Sequence, residues 1–252
     1  MLKLRFDRAL ITLLFVVAAP LTGCSGDETS DDDGAAGAPG SDCETDRGPV
    51  DPTALIDDLE DGNGALPAIS TRNGSWWIST DTSGGIIEPP ADASPPAERI
   101  LGGRCDSEFA MRVTGSGFTE WGAVLTAGFR YTTEVASIDA SAYSGVTFWA
   151  RVGEDHTSPV RVQFQDTSSE PNGGVCNPES TGADQCYDGW GTALTTIGTE
   201  WQQFSIEFST LAQRGFGYAG EAIDTSNLYT IEWNLDQGST YNLWIDDVWF
   251  YE

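Results

Sequence analysis

The sequence predicts an all-β domain, a sandwich of two antiparallel sheets in the jelly-roll arrangement with about nine short strands. Three observations predict it. Short runs of alternating apolar and polar residues recur along the chain, each rich in β-branched and aromatic side chains. Glycine is abundant, at 29 residues, and supplies turns between those runs. Apolar residues at helical spacing are absent over any long stretch, so no long helix competes for the core.

The chain opens with Lys3, Arg5 and Arg8, then the apolar run from Ala9 to Ala19, which is too short to span a membrane as a stable helix. The run ends in Leu21-Thr-Gly-Cys24, which resembles the lipobox of bacterial lipoprotein signal peptides. That resemblance implies a signal peptide over 1–23, cleavage before Cys24, and acylation of Cys24 (palmitate among the acyl chains). Ser25 after the cysteine suggests sorting to the outer membrane or cell surface. Residues 24–52 hold Gly, Ala, Ser, Asp and Pro with hardly an apolar side chain, and the run Asp31-Asp-Asp33 keeps them extended. They read as a tether to a domain over 53–252.

Within that domain the strands follow one another. Leu55–Leu59 comes first, then Trp76–Asp81. The prolines of Pro89–Pro96 cannot join a central ladder and mark a loop. Phe109–Thr114 alternates cleanly, and Trp121–Phe129 is a weaker strand with two glycines. Val146–Val152 and Val160–Gln165 are the best patterned, and Gln202–Phe208, Thr230–Leu235 and Tyr241–Tyr251 complete the set. Cys43, Cys105, Cys176 and Cys186 are even in number, which in an exported chain reads as two disulfides. Three pairings are open; the short interval between Cys176 and Cys186 favours a local bridge, leaving Cys43 with Cys105.

Acidic residues outnumber basic ones, 39 to 12, for a formal net charge of −27, and Lys3 is the sole lysine. Such a chain is repelled by nucleic acid and by anionic lipid head groups. Its membrane attachment would be by lipid anchor alone, with a monomer as the expected state.

Alternation assigns faces. Val160, Val162 and Phe164 point to the core, as do Val146, Phe148, Ala150 and Val152, and Ile231, Trp233 and Leu235. The opposite positions, placed on one sheet, gather Trp149, Arg151, Arg161, Gln163, Gln165, Glu232 and Asn234. That set suits a sugar, because flat aromatic rings cover the apolar face of a pyranose and forked side chains match pairs of hydroxyls. Tyr187 and Trp190, from the loop after Cys186, are candidates for the rim. The bland alternative is the wet face of an antiparallel sheet, polar by default.

Catalytic signals are weak. His156, the one histidine, falls in a loop between two strands, where a solvated side chain is the usual finding. No nucleophile elbow, zinc-binding helix or phosphate loop is present. Glu232 and Asp236 are the carboxylates to watch for glycoside hydrolysis.

The last strand is the oddity, with Asp246 and Asp247 inside an apolar run. Neighbours in a strand point to opposite faces, so one of the two faces inward or lies at a bulge and needs a positive partner or a metal. Leu55-Ile-Asp-Asp-Leu-Glu-Asp-Gly62 echoes the pattern, and first and last strands are expected to meet and share a cation.

Three stretches together resemble the carbohydrate-binding modules of family 11 and the wider galactose-binding-like jelly rolls. They are Leu55–Gly62, Leu211-Ala-Gln-Arg-Gly-Phe-Gly217 and Leu243–Tyr251. The resemblance implies non-catalytic binding of a polysaccharide, β-glucan-like, in one sheet. It also implies a structural Ca2+ near the chain termini, to which Asp58, Glu60, Asp246 and Asp247 would contribute oxygens. A protein partner on the same sheet, or weak glycan hydrolysis, are the other readings.

Overall fold

A computed structural model describes residues 51–91 and 95–252 of the chain. The expected signal peptide and the expected tether up to residue 50, with Cys24 and Cys43, lie outside the described residues.

Fourteen strands are present among the described residues. The first five are β1 (Leu55–Asp57), β2 (Ser75–Thr80), β3 (Ile86–Glu88), β4 (Glu98–Arg104) and β5 (Ser107–Ser116). Then come β6 (Ala123–Gly128), β7 (Arg130–Tyr131), β8 (Val135–Ala136), β9 (Gly145–Val152) and β10 (Val160–Asp166). The chain closes with β11 (Trp190–Ala193), β12 (Gln202–Glu207), β13 (Leu228–Leu235) and β14 (Thr240–Tyr251). All nine strands expected from alternation exist. The additional five are short or glycine-bearing, as in the Trp-Gly-Thr-Ala of β11, and so carry little periodic signal.

The strands form an antiparallel sandwich. A seven-stranded sheet runs β12-β9-β14-β5-β3, with β1 on β14 and β4 on β5; a five-stranded sheet runs β11-β10-β13-β6-β2. The inward residues meet as alternation requires. Phe148 of the first sheet meets Trp233 of the second edge-on, with ring centroids 5.3 Å apart, and Trp233 stacks on Trp76 at 5.5 Å. A fully buried aromatic of this size contributes about 2–3 kcal/mol by burial alone. The disulfide Cys176–Cys186 is formed. Cys105 is also disulfide-bonded, and its expected partner Cys43 lies outside the described residues.

The first and last strands come together, since β1 pairs with β14 through Leu55–Trp249 and Asp57–Val248. A bulge interrupts β14 between Asp246 and Trp249, and Asp247 takes the left-handed conformation there, with φ of 45°. Beneath it Asp57 is buried, accepting the Trp76 indole N–H at 2.7 Å and the Leu59 amide at 3.0 Å. Burial outweighs those donors and raises the Asp57 carboxyl to about 7. A carboxyl raised on folding contributes stability below its unfolded value, near 4, and that contribution is lost as pH climbs through 7. The melting temperature is therefore expected to fall between pH 5 and pH 8, and Asp57→Asn to flatten the slope. A profile that rises over this range, or one that Asp57→Asn leaves unchanged, would refute the assignment.

Candidate functional site

The outer face of the five-stranded sheet is assembled from alternation and register. Trp77 lies opposite Thr126, Thr126 opposite Glu232, Glu232 opposite Gln163, and Gln163 opposite Gly191. Flanking rows place Thr230 beside Gln165 and Asn234 beside Arg161. Their neighbours in sequence, such as Trp76, Leu125, Ile231 and Val162, fill the core, so these side chains face outward.

Glu232 is the hub. Its Oε2 accepts the amide N–H groups of Gln163 at 2.7 Å and Gln165 at 2.9 Å, and its Oε1 accepts the Thr230 hydroxyl at 3.2 Å. With both amide nitrogens turned to one carboxylate, the amide oxygens are directed elsewhere. Gln165 Oε1, Asn234 Nδ2 and Arg161 Nε are buried and have no hydrogen-bond partner in the protein. Burial raises the Glu232 carboxyl, opposed by the three donors. Burial and then the Glu232 charge raise the neighbouring Glu170 carboxyl to about 7. The Tyr187 phenol is raised by burial, then by Glu170 and Glu232, which sets all three side chains in one neighbourhood.

The two ends of this face are aromatic. At β2 the ring of Trp77 packs down on Gly128, where an added Cβ would stand 2.3 Å from its Cζ3, and Trp77 remains partly exposed. At the β11 end Tyr187 is half exposed beside the disulfide, its amide bonded to Ser169 O at 2.8 Å. The buried Asp188 carboxylate then accepts four successive amides, from Arg214, Gly215, Phe216 and Gly217, at 2.7–3.1 Å. This fixes the loop Leu211–Gly217, and Arg161 Nη2 bonds Ala212 O within it at 2.5 Å.

Of the residues read from sequence, Arg161, Gln163, Gln165, Glu232 and Asn234 gather here, with Tyr187 at the edge. Trp149 and Arg151 do not. Their strand, β9, pairs with β14 and β12, whereas β10 pairs with β13 and β11. The connection through His156 therefore crosses between the sheets instead of closing a hairpin, and puts Trp149 and Arg151 on the opposite outer face. Trp190 is corrected too: it lies opposite Phe164 and packs into the core, because Gly191 occupies the outward position. His156 is bonded through Nε2 to Ser158 O at 2.7 Å and accepts the Asn242 amide through Nδ1 at 2.9 Å. Asp236 faces Arg214 at 3.9 Å. Sequence reasoning missed Trp77, although the pair Trp76-Trp77 in one strand must present one ring outward. It also missed Glu170, for which nothing local gives a signal.

The acidic residues of the terminal clasp are held by donors of the protein itself. Asp246 accepts Arg104 Nε at 2.9 Å and Ser107 Oγ at 2.8 Å, and Asp247 is paired with Arg104 Nη2. Glu60 accepts the amides of Glu108 and Phe109 at 3.0 and 3.1 Å and lies 2.9 Å from Ser107 Oγ, whose single proton it shares with Asp246. Asp58 accepts only the Glu60 amide in the protein, at 3.3 Å. Calcium needs six to eight oxygens facing one point, whereas the oxygens of Glu60, Asp246 and Asp247 face N–H and O–H donors. As arranged, Glu60, Asp246 and Asp247 do not turn their oxygens to one ion, and the cation of the clasp is the Arg104 guanidinium.

The chain belongs to the carbohydrate binding domain 30 family, whose description it matches over residues 63–252. Such modules are non-catalytic. Among solved structures, a family 30 carbohydrate-binding module matches with a TM-score of 0.51 at 12% identity, over 79% of this chain and 88% of its own. A family 11 module of a cellulosomal cellulase of Clostridium thermocellum matches with a TM-score of 0.47 at 14% identity, over 78% and 92%. A family 11 module from Clostridium thermocellum, solved with a beta-1,3-1,4-mixed-linked tetrasaccharide, matches with a TM-score of 0.46 at 12% identity, over 75% and 95%. A search of the curated proteins finds no match. The kinship with carbohydrate-binding modules expected from the three sequence motifs thus holds, with family 30 as the matching family.

Proposed function

We propose that the outer face of the five-stranded sheet binds a neutral polysaccharide of the β-glucan type and releases it unchanged. The observation that carries this reading is the partly exposed Trp77 ring, laid on Gly128 beside the Gln163–Glu232–Gln165 network. An indole covers the C–H face of a pyranose, and the network beside it fixes a polar floor under the ring. Burial already disfavours negative charge on Glu170 and Glu232, so an acidic sugar would add a further buried anion, which favours an uncharged chain. Membership in the carbohydrate binding domain 30 family supports the same class of ligand.

The test is calorimetry with a soluble mixed-linkage β-glucan. Trp77→Ala is expected to weaken binding about 30-fold, the effect of losing a central aromatic anchor of about 2 kcal/mol. Binding by Trp77→Ala equal to that of the wild type would remove this face from consideration. A wild type silent towards neutral glucans would remove the ligand class.

A further inference from the structure

The opposite outer face, on the seven-stranded sheet, has another chemistry. Arg151, Trp244 and Arg112 are direct cross-strand neighbours on β9, β14 and β5. Trp201, just before β12, closes the row, so that guanidinium and indole planes alternate. Arg151 lies 5.1 Å from the Trp201 ring centroid and 4.7 Å from that of Trp244, and Arg112 lies 4.7 Å from Trp244. Arg104 stacks on Trp149 at 4.6 Å in the adjoining row.

The three arginines differ in their partners. Arg104 is committed to Asp246 and Asp247, and Arg112 pairs with Glu98 at 3.2 Å. Arg151 makes no ion pair among the described residues, and its Nε has no hydrogen-bond partner. Burial lowers its pKa, the charge of Arg112 lowers it further, and Glu200 opposes them. A half-buried cation next to a second cation is unfavourable unless an anion completes it. Among the described residues no acidic side chain pairs with this guanidinium, and Glu200 acts on it only at longer range. Ring stacking satisfies the faces of the guanidinium and leaves its edge, a planar fork of N–H donors that matches a carboxylate or a sulfate bidentately.

We propose that this face is a second binding site, in which Arg151, with Arg112 beside it and indole rings around it, takes the carboxylate or sulfate of an acidic saccharide. The apolar ring edges suit the C–H groups of a sugar better than a free inorganic anion. The two sheet faces then divide the ligands between them, because an acidic sugar on the opposite side would be met by the buried carboxyl groups of Glu170 and Glu232. The proposal stands apart from the neutral-glycan reading.

Affinity electrophoresis of the full chain tests it, in gels containing polygalacturonate, dextran sulfate or unsubstituted dextran. A net charge of −27 works against retention by any polyanion, so retardation reports a local cationic site. The expected result is retardation by polygalacturonate or dextran sulfate, none by dextran, and relief by added salt. The acidic polymer that retards the chain separates carboxylate from sulfate recognition. Arg151→Gln is expected to weaken retention about tenfold, by loss of the charged fork, and to leave mixed-linkage β-glucan binding unchanged. If Arg151→Gln fails to fold, Arg151→Lys carries the test: weakened retention supports the planar fork, and unchanged retention overturns it. Absence of retardation by both polyanions, or retention indifferent to Arg151→Gln, also overturns the proposal.

Discussion

Replacing Arg104 by leucine is expected to cost the protein about 3–5 kcal/mol, the effect of removing one partner from a buried ion pair. The Arg104 side chain is 4% exposed and that of Asp246 is fully buried, so solvent cannot replace the lost cation. Asp246 is already raised to about 6 by burial, with Arg104 and Ser107 opposing. Without the guanidinium its carboxyl rises further. The loss should then be larger at pH 8, where Asp246 must ionise, than at pH 5, where it can stay protonated. Urea denaturation at the two pH values measures both effects. A loss below about 1 kcal/mol at pH 8 would place the pair with exposed salt bridges of little consequence. The wild type offers a second check. Because the oxygens of Glu60, Asp246 and Asp247 are taken by N–H and O–H donors, chelation of calcium is expected to leave its melting temperature unchanged. A chelator-dependent drop would show that the ion displaces Arg104.

The terminal clasp was legible in the sequence; its cation was not. Asp246 and Asp247 in an apolar strand announce a bulge and a buried charge, and the echo in Leu55–Gly62 announces that the ends meet. Arg104 is 142 residues from Asp246 along the chain, and no local pattern connects them. The binding face was legible in the same partial way. Alternation in β10 and β13 identified Arg161, Gln163, Gln165, Glu232 and Asn234 as outward, because a period of two is a local property. Membership of a strand in one sheet or the other is not local. β9 alternates as cleanly as β10, and only its hydrogen bonds to β14 and β12 send Trp149 and Arg151 to the far side. Trp190 failed for a related reason: a four-residue strand bearing a glycine reads as loop, and a loop tryptophan reads as a rim. The motif Leu211–Gly217 marked the family before its partner was visible. Its meaning lies in Asp188, which captures its amides from another segment.

Removing that carboxylate should have the second large effect. Asp188 is 2% exposed and accepts four consecutive amides of residues 214–217. Its own carbonyl also accepts Gln213 Nε2 at 2.8 Å. Hydrogen bonds to an ionised acceptor are worth about 1.5–3 kcal/mol each, but four sharing one carboxylate are not additive. Asp188→Ala is therefore expected to lose about 3 kcal/mol. Asp188→Asn keeps a single acceptor oxygen and should lose less. The damage should be local in its first expression. Amide hydrogen exchange at residues 214–217 is expected to lose protection, while the central strands β10 and β13 keep theirs. The loop is tied to Arg161 through Ala212, so its release frees one of the donors held at the edge of the proposed glycan-binding face. Glycan affinity should consequently fall in Asp188→Ala under conditions where the sandwich is still folded. Unaltered protection at residues 214–217 would mean that backbone geometry, including the positive φ of Gly215, holds the loop by itself. Intact affinity with lost protection would instead separate the loop from the binding face.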